Sequence, residues 1–562
     1  MKVRFLSAVG REVRSMHEAA YLLAGFALLS QFLALLRDRI LAAQFGASHT
    51  LDLYYAAFRI PDFLFATVAS LLSLYALLPI LSKLEQENPG YLIAFLRDTL
   101  WVFFIGMACI GAIAAFFVPE LVQILMPGIA VDPASKAELI LLIRILLLQP
   151  ILLGASNTLA SLTQLRHRFV LYSVSPLLYN IGIIFGAVFL YPRFGIGGLG
   201  WGVVIGALLH MLVQVPFFFS EPREAHLGRT KMLKSFWEVL ALSIPRTLAL
   251  AAGQISLLAI TALASLLSAG SIAVFTFGYN LQAVPLTIIG VSYSVAAFPT
   301  LARLFAAGKK QEFSQYIETA LRHIIFWSMP AMVFIIVLRA QLVRVILGAG
   351  QFDWSATRLV AAALALLILS LAAQSISLLI ARAYYAAGNT RKPLYYGIVD
   401  VVVSVGSSIF LIELFHSSQF MRDFIEAIFR VSGIPGTTVL MLALGLSLGS
   451  IAECVVSFFF FCKDFSISAR RLLGHSFQTF SASIIGAGVT YVILAYTGAV
   501  GTINTAIGII AQGALSGIAG LLVTAFILYL FKNPEFKEAI GAFSRFFKDT
   551  TPVAIEPTDV AG

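Results

Sequence analysis

Five ionisable side chains cluster in an otherwise apolar part of the sequence. They are Arg37, Asp38, Asp52, Arg59 and Asp62, at the end of the first long apolar segment and along the second. A charge at the centre of a membrane costs about 3 kcal/mol on insertion scales, so such residues are usually functional. Because a guanidinium group binds phosphate oxygens through paired hydrogen bonds, the cluster predicts a site for a phosphate-bearing substrate. The alternative is an Arg–Asp network that neutralises itself and fixes helix packing.

The spacing of Asp52 and Arg59 places both residues on one side of a helix. Seven residues are nearly two turns, so the two side chains point within about 20° of each other. Tyr55 lies on the same face. We predict that this face lines an aqueous cavity.

Isolated polar residues interrupt later apolar segments. Arg144 and Arg246 are candidates for further cavity residues. Asp400 and Glu453 can hold a cation or proton that drives a transport cycle, or can pair with hydroxyl groups of a neighbouring helix. Gln254 fits a polar lining residue and an interhelical hydrogen bond equally well.

Signatures of catalysis are absent from the sequence. It has no Walker A sequence, no nucleophile–base pair and no set of metal ligands at a useful spacing. Its three cysteines and eight histidines are scattered. We therefore expect a protein that is not an enzyme and that uses no metal or cofactor apart from a coupling cation or the membrane potential. The glycine-rich run at 195–200 opens an apolar segment, which predicts close helix packing rather than a nucleotide site.

The composition requires a membrane around the chain. Of 562 residues, 59% are hydrophobic and 12% are charged, and the mean hydropathy is +0.92. A soluble protein carries roughly 25% charged residues. We predict an all-α polytopic membrane protein with about fourteen spans of at least ~20 residues. The spans lie near 19–36, 52–81, 94–118, 137–163, 169–191, 196–219, 236–266, 272–302, 317–338, 356–386, 393–414, 436–462, 478–497 and 505–531.

The distribution of lysine and arginine predicts the orientation. Basic residues concentrate in the loops on the side of the N-terminus and in the C-terminal tail. Cytoplasmic loops carry this excess, so we expect both termini in the cytoplasm and no nucleic-acid partner behind the net charge of +10. The opposite side holds few basic residues, among them Arg37, Arg39, Arg193, Arg339, Arg344, Arg422 and Arg430.

Two halves of the chain resemble each other at a spacing of about 222 residues. The sequence from Asp52 to Pro61 parallels that from Val274 to Pro285, and the basic turn at Arg166 parallels Asn389 to Pro393. Transporters built from such repeats bind substrate between the halves. We predict two pseudo-symmetric six-helix lobes plus two extra helices. The predicted parts are an N-terminal segment 1–18, an N-lobe 19–219, a linker 220–235, a C-lobe 236–462, a helix pair 463–531 and a cytoplasmic tail 532–562.

Six short runs of the sequence form a characteristic set. The first is the run from Leu36 to Ala47 followed by Asp52, and the others are Gly253–Ser256, Ala264–Ser271, Ala297–Leu301, Leu347–Phe352 and Ala381–Pro393. These runs resemble, in the same order, motifs of the MurJ (MviN) family of lipid II flippases, in the MOP exporter superfamily.

The resemblance implies a function and a location. Members of the family move lipid II, the undecaprenyl-pyrophosphate-linked peptidoglycan precursor, to the outer leaflet of the bacterial cytoplasmic membrane. Arg37, Asp52 and Arg59 match positions that carry functional charges in the family, and the last two helices form a groove for the lipid tail. The implied partners are lipid II or a related polyprenyl-pyrophosphate glycan, membrane lipid and cell-wall synthesis proteins.

The chain departs from the family pattern in the cavity. Gln31, Phe65 and Asn280 stand where the family usually has arginines, and Ser70 replaces an acidic residue. Gln31 and Asn280 still count as candidate cavity residues. Either Arg144, Arg246 or another residue supplies the missing charge, or the headgroup differs from that of lipid II. A flippase for another polyprenyl-linked glycan, a MATE-like cation-coupled exporter and a non-transporting scaffold are the alternatives.

Overall fold

Helices occupy all fourteen predicted apolar segments. The computed structural model describes residues 16–72, 74–166, 168–220, 228–467, 469–500 and 505–548, and these residues form no strand. The helices of the first half are α1 (Met16–Phe45), α2 (His49–Ala57), α3 (Arg59–Thr67), α4 (Leu74–Glu87), α5 (Pro89–Leu125), α6 (Pro127–Ala130), α7 (Pro133–Leu146), α8 (Leu148–Leu165), α9 (Phe169–Phe185), α10 (Tyr191–Phe194), α11 (Ile196–Leu212) and α12 (Val215–Ser220).

The second half continues the same pattern of long helices and short connections. Its helices are α13 (Arg229–Ser265), α14 (Ser271–Leu286), α15 (Ser292–Ala306), α16 (Lys310–Leu347), α17 (Trp354–Ile368), α18 (Leu371–Ala386), α19 (Arg391–Ser417), α20 (Gln419–Phe429), α21 (Val439–Phe465), α22 (Ala469–Val500), α23 (Ala506–Leu530) and α24 (Pro534–Lys548). We call α1–α12 the first bundle and α13–α21 the second bundle.

Length and hydropathy qualify most of these helices as membrane spans. Ten helical segments of the described residues are long and apolar enough, and the pair α17 and α18, bent by 44°, is an eleventh when the two helices are counted as one broken span. The other three predicted spans are α1 with 30 residues, α13 with 37 residues and the broken series α2–α4. The all-α membrane fold is therefore confirmed, whereas the count of fourteen spans stays a prediction.

The second predicted span is broken where its charges lie. Helix α2 ends at Ala57, and α3 begins at Arg59 with Pro61 in its first turn. A proline ring clashes with the carbonyl group four residues earlier, which here belongs to Ala57, so one straight helix is unfavourable. The break places Arg59 and Asp62 in the first turn of α3.

Glycines bring α9 and α11 into backbone contact. A Cβ atom on Gly182 would lie 2.2 Å from the Cα atom of Gly206, and one on Gly202 would lie 2.4 Å from the Cα atom of Gly186. A Cβ atom on Gly198, within the 195–200 run, would lie 2.5 Å from the backbone of Leu190. The predicted packing role of the glycine-rich run is confirmed.

The last two long helices form a unit beside the second bundle. Helices α22 and α23 pack on each other and on α16. The amphipathic helix α24 follows and packs back onto α16. There Glu535 Oε1 lies 3.6 Å from Arg322 Nη1, and Glu538 Oε2 lies 3.0 Å from His323 Nε2. This helix occupies the first part of the predicted tail 532–562. The end of the predicted tail, residues 549–562, lies outside the described residues, as does most of the N-terminal segment 1–18.

Candidate functional site

A polar network connects the two bundles through Asp38. Arg37 donates from Nε and Nη2 to Asp38 Oδ1 at 2.9 and 2.8 Å, and from Nη1 to Asn180 Oδ1 on α9 at 3.1 Å. Asn280 Nδ2, on α14 of the second bundle, donates to Asp38 Oδ2 at 3.1 Å. The carboxylate is buried, while 21% of the Arg37 side chain remains exposed. Arg37 therefore keeps access to a neighbouring space although it is paired.

A second polar group surrounds Arg59 at the break of the second span. Asp62 and Tyr279 lie close enough to act on the charge of Arg59, and the amide of Gln149 is hydrogen-bonded to Asp62. Arg59 Nε is buried and has no hydrogen-bond partner among the described residues. This donor is available to an acceptor from outside the described residues, such as a substrate.

Asp52 closes a contact between the bundles. Its carboxylate, 4% exposed, accepts hydrogen bonds from the backbone N–H groups of Gly270 and Ala273 at 2.5 and 2.8 Å. These groups lie at the start of α14, where unpaired N–H groups and the helix dipole favour an anion. In this conformation both carboxylate oxygens are used by the protein. The predicted role of Asp52 in substrate binding stays a prediction.

Tyr55, on the same helix as Asp52, is buried between the bundles and does not line an open cavity. Its ring packs edge-on against Phe277 of α14, with 5.8 Å between the ring centroids. The side chain is buried, and its hydroxyl has no hydrogen-bond partner in the described part of the chain. The shared face of α2 thus points towards the second bundle.

Backbone contacts seal the same end of the molecule. Arg39 donates to the carbonyl group of Val345 at 2.5 Å, and the N–H group of Gln351 donates to the carbonyl group of Ala43 at 2.9 Å. Gly350 has a φ of 54°, and a Cβ atom there would lie 2.2 Å from the Ala43 carbonyl oxygen. The bundles are therefore in direct contact at the end opposite α24.

The remaining predicted cavity residues are scattered. Gln31 is half-buried on α1, and Gln254 is half-buried on α13. Phe65 packs against an apolar cluster of the first bundle. The side chains of Arg246 and Ser70 lie outside the described residues.

Arg144 does not fit the cavity role that the sequence suggested. It is exposed, and its Nε donates to the carbonyl group of Ala115 on α5 at 3.1 Å. Leu141 and Leu148, one turn before and after it, are 49% and 40% exposed. This face of the helix is apolar and outward-facing, because the bundle interior lies on the opposite side. Another group must supply any missing cavity charge.

The second bundle contains a cavity of about 240 Å³ around Asp400. Asp400 accepts a hydrogen bond from Ser256 Oγ at 2.9 Å and a longer one from Ser450 Oγ at 3.3 Å. Glu453 and Tyr279 also line the cavity. Since Tyr279 is close to Arg59 as well, the cavity adjoins the charged break in the first bundle. In the described residues, no group of three or more His, Cys, Asp and Glu side chains is placed to hold a metal ion.

Sequence reasoning missed three residues of this site: Asn180, Gln149 and Tyr279. The first two are amides within apolar segments, which is a signal that the sequence offers. Their partners, Arg37 and Asp62, lie on helices that are distant in the chain, so only the fold reveals the pairs.

One family model, described as Lipid II flippase MurJ, matches residues 41–512 of this sequence. The chain belongs to the MurJ family. A "Lipid II flippase MurJ" of Burkholderia cenocepacia is 25% identical over 71% of this chain and 79% of its own length. A "Probable lipid II flippase MurJ" of Buchnera aphidicola (from Acyrthosiphon pisum) is 27% identical over 69% of this chain and 76% of its own.

Solved structures place the MurJ-family chain in the same fold. A structure titled "Lipid II flippase MurJ, inward closed conformation" has a TM-score of 0.70 at 21% identity, and covers 91% of this chain and 99% of its own. An inward-facing multidrug resistance MATE family transporter of the MOP superfamily has a TM-score of 0.64 at 15% identity, with 78% and 94% covered. The predicted family resemblance and the helical transporter fold are confirmed, whereas the division into two six-helix lobes and an extra helix pair stays a prediction.

Proposed function

We propose that this MurJ-family protein is a flippase that moves lipid II from the cytoplasmic to the outer leaflet for peptidoglycan synthesis. It is a transporter and not an enzyme. The relatives named lipid II flippase match along most of their length, which supports this substrate over a drug. The likeness to MATE transporters is one of fold only.

The observation that carries the proposal is the polar network between the bundles. Arg37, Asp38 and Asn280 join α1 to α14, and Arg37 precedes the sealed end at Phe45 by eight residues, or about 12 Å of helix. A pyrophosphate that enters between the bundles meets Arg37, which is held by a carboxylate, and Arg59, which has an unpaired Nε. Phosphate can replace Asp38 as the partner of Arg37, and this exchange loosens the link to Asn280.

The exchange supplies a mechanism for alternating access. With the headgroup between the bundles, the link from Asp38 to Asn280 weakens, and the contact of Asp52 with α14 and the bonds of Arg39 and Ala43 still hold the sealed end. Rocking of the bundles then opens that end. The lipid tail stays in the membrane, against the groove that the family resemblance implies for α22 and α23.

We propose further that a cation or the membrane potential returns the empty protein to its starting state. The Asp400 cavity, with Glu453 on its wall, offers carboxylate oxygens beside the substrate path. One charge that crosses the membrane potential gains about 2.3 kcal/mol per 100 mV. The protein acts in the bacterial cytoplasmic membrane with both termini inside, and cell-wall synthesis proteins are its proposed partners.

A leaflet-resolved assay of lipid II tests the proposal in bacteria whose only flippase is this protein. We expect lipid II in the outer leaflet with the unaltered protein. Arg37→Ala and Arg59→Ala are expected to lower the transport rate at least tenfold, since a hydrogen bond to a charged group contributes about 1.5–3 kcal/mol.

The matched control is Arg144→Ala, which removes an arginine from the outward face and should leave transport unchanged. Full activity of both cavity variants at normal membrane levels would refute the cavity role. Failure of the unaltered protein with lipid II, together with transport of another polyprenyl-linked glycan, would assign the alternative substrate.

A further inference from the structure

Three arginines converge at the end of the second bundle opposite α24, although this side of the chain has few basic residues. They are Arg339 of α16, Arg358 of α17 and Arg430, directly after α20. Arg430 Nη2 donates to the hydroxyl of Tyr491 on α22 at 3.0 Å, and Arg358 Nε donates to the backbone carbonyl of Arg430 at 2.6 Å. The guanidinium carbon of Arg339 lies 6.0 Å from the ring centre of Phe429. Arg339 and Arg430 are close enough for their charges to repel each other.

Within the described part of the chain, no carboxylate neutralises these arginines. Among the described residues, none of the three forms an ion pair with a carboxylate within 4.0 Å; Arg339 Nη1 donates instead to the carbonyl group of Ile336 at 2.7 Å. The nearby carboxylates of α20 bond to uncharged groups: Glu426 accepts from Thr437 and Asp423 accepts from Gln419. Two like charges held together without a counter-charge are stabilised by an external anion.

The backbone holds Arg430 in place at a cost. Its φ is 56°, in the left-handed region that glycine or asparagine usually occupies at the end of a helix. For other residues this conformation costs of the order of a kilocalorie per mole. The bond from Arg358 and the bond to Tyr491 fix the conformation and aim the guanidinium group at α22.

Helix α20 shows the depth at which the cluster lies. Phe420, Phe424 and Ile428, spaced four residues apart, are 78%, 50% and 52% exposed. An amphipathic helix with such a stripe lies in the membrane interface, with its apolar side in the acyl chains. Tyr491, which is 52% exposed, is typical of the same layer. Arg430 follows this helix directly, so its guanidinium group lies at the level of lipid phosphates.

We infer that Arg339 and Arg430, with Tyr491, form a binding site for the phosphate group of a membrane lipid. With the proposed orientation the site lies in the outer leaflet, and in that respect it rests on the proposed function. The two sources of the phosphate are a phospholipid of that leaflet and the pyrophosphate of the lipid that the protein delivers there. The site lies beside α22, outside the space between the two bundles.

Native mass spectrometry of the purified full-length protein tests the site with phosphatidylglycerol and undecaprenyl diphosphate as probes. The Arg339→Gln/Arg430→Gln variant is expected to retain one lipid fewer and to bind at least tenfold more weakly. The backbone carbonyl of residue 430, which accepts the hydrogen bond from Arg358, is still present in this variant. Arg422→Gln is the matched control, because Arg422 lies on α20 but bonds to the carbonyl groups of Phe415 and His416.

Weaker binding of both lipids by the double variant supports a general phosphate site. Weaker binding of only one lipid identifies that lipid as the source of the phosphate. Equal binding by the double variant and the unaltered protein, or an equal loss in Arg422→Gln, would overturn the inference. If the double variant fails to fold, Tyr491→Phe, which frees Arg430, must still weaken retention several-fold. Transport defects of Arg37→Ala and Arg59→Ala are independent of this readout, so failure here leaves the proposed function standing.

Discussion

Asp52 accepts a hydrogen bond from the N–H group of Gly270 at 2.5 Å, which joins the first bundle to the second at the sealed end. Gly270 has a φ of 89°, and a Cβ atom there would lie 2.4 Å from the Ala47 carbonyl oxygen. Only glycine permits this approach. We call this contact between Asp52 and Gly270 the latch. The Asp52 carboxylate supplies the charge, and the missing side chain of Gly270 permits the close approach of the two bundles.

Replacement of Asp52 by asparagine should weaken the latch. The amide keeps one acceptor oxygen but loses the charge that the start of α14 stabilises, and hydrogen bonds to charged groups contribute about 1.5–3 kcal/mol. A shift of that size changes the ratio of open to closed molecules about tenfold or more. Double electron–electron resonance between spin labels at Ala134 and Ser355, both exposed, should show a longer-distance population.

The control for Asp52→Asn is Asp353→Asn. Asp353 also caps a helix, since it accepts from the N–H group of Ala356 at 2.7 Å, but both residues belong to the second bundle. Its replacement should leave the distance distribution unchanged. An unchanged distribution in Asp52→Asn as well would show that the latch does not hold the bundles together.

We expect Asn280 to stabilise the folded protein, although its side chain is uncharged. Asn280→Ala removes one donor from the buried carboxylate of Asp38, and an unsatisfied buried group costs about 1–3 kcal/mol. We expect a lower midpoint of thermal unfolding in detergent. Asn280→Arg supplies a donor again and adds the charge typical of the family, so it should bind undecaprenyl diphosphate more tightly. A loss of binding in that variant would contradict the proposed exchange at Arg37.

Sequence alone predicted the helices well because a membrane imposes one dominant signal. A stretch of apolar residues must be helical there, since every backbone group needs an internal partner. When a helix is apolar on all sides, the same signal does not show which side faces the bundle interior and which faces the lipid. Arg144 looked like an interior charge for this reason, yet its neighbours Leu141 and Leu148 face outwards.

The candidate site depended on contacts that no local pattern encodes. Arg37 and Asp38 stood out as charges, but their bonds to Asn180 and Asn280 span 143 and 242 residues of sequence. The spacing pairs Asp52 with Arg59 on one helix face, and the structure places these residues on two consecutive helices, α2 and α3, that meet at Phe58. Helix α20 is not among the predicted segments because its apolar stripe is too short for a span.

The contact of α9 with α11 should not tolerate a methyl group. In Gly202→Ala the new Cβ atom meets the backbone of Gly186 at 2.4 Å, and backbone cannot move aside as a flexible side chain can. Overpacking of this kind costs about 1–3 kcal/mol, so the unfolding midpoint in detergent should fall. Gly406→Ala is the control, because nothing lies within 4 Å of the added atom. Equal stability of the two variants would mean that the helices can separate without loss.

Asp400 is the residue with which the coupling proposal is tested. Asp400→Asn keeps one acceptor oxygen for Ser256 or Ser450 and replaces the other oxygen by an amide that can donate to a serine hydroxyl. It removes the negative charge, so the fold should persist while cation binding is lost. Lipid II transport should be measured in proteoliposomes in sodium and in choline buffers and across a pH series. We expect the transport rate of the unaltered protein to respond to one of these variables and Asp400→Asn to be slow and insensitive to both.

The control is Glu413→Gln, which changes an exposed carboxylate on the same helix α19 and should behave like the unaltered protein. If Asp400→Asn keeps the full rate and the full cation response, the return step draws its energy elsewhere, and the membrane potential acting on the cavity arginines becomes the source to test.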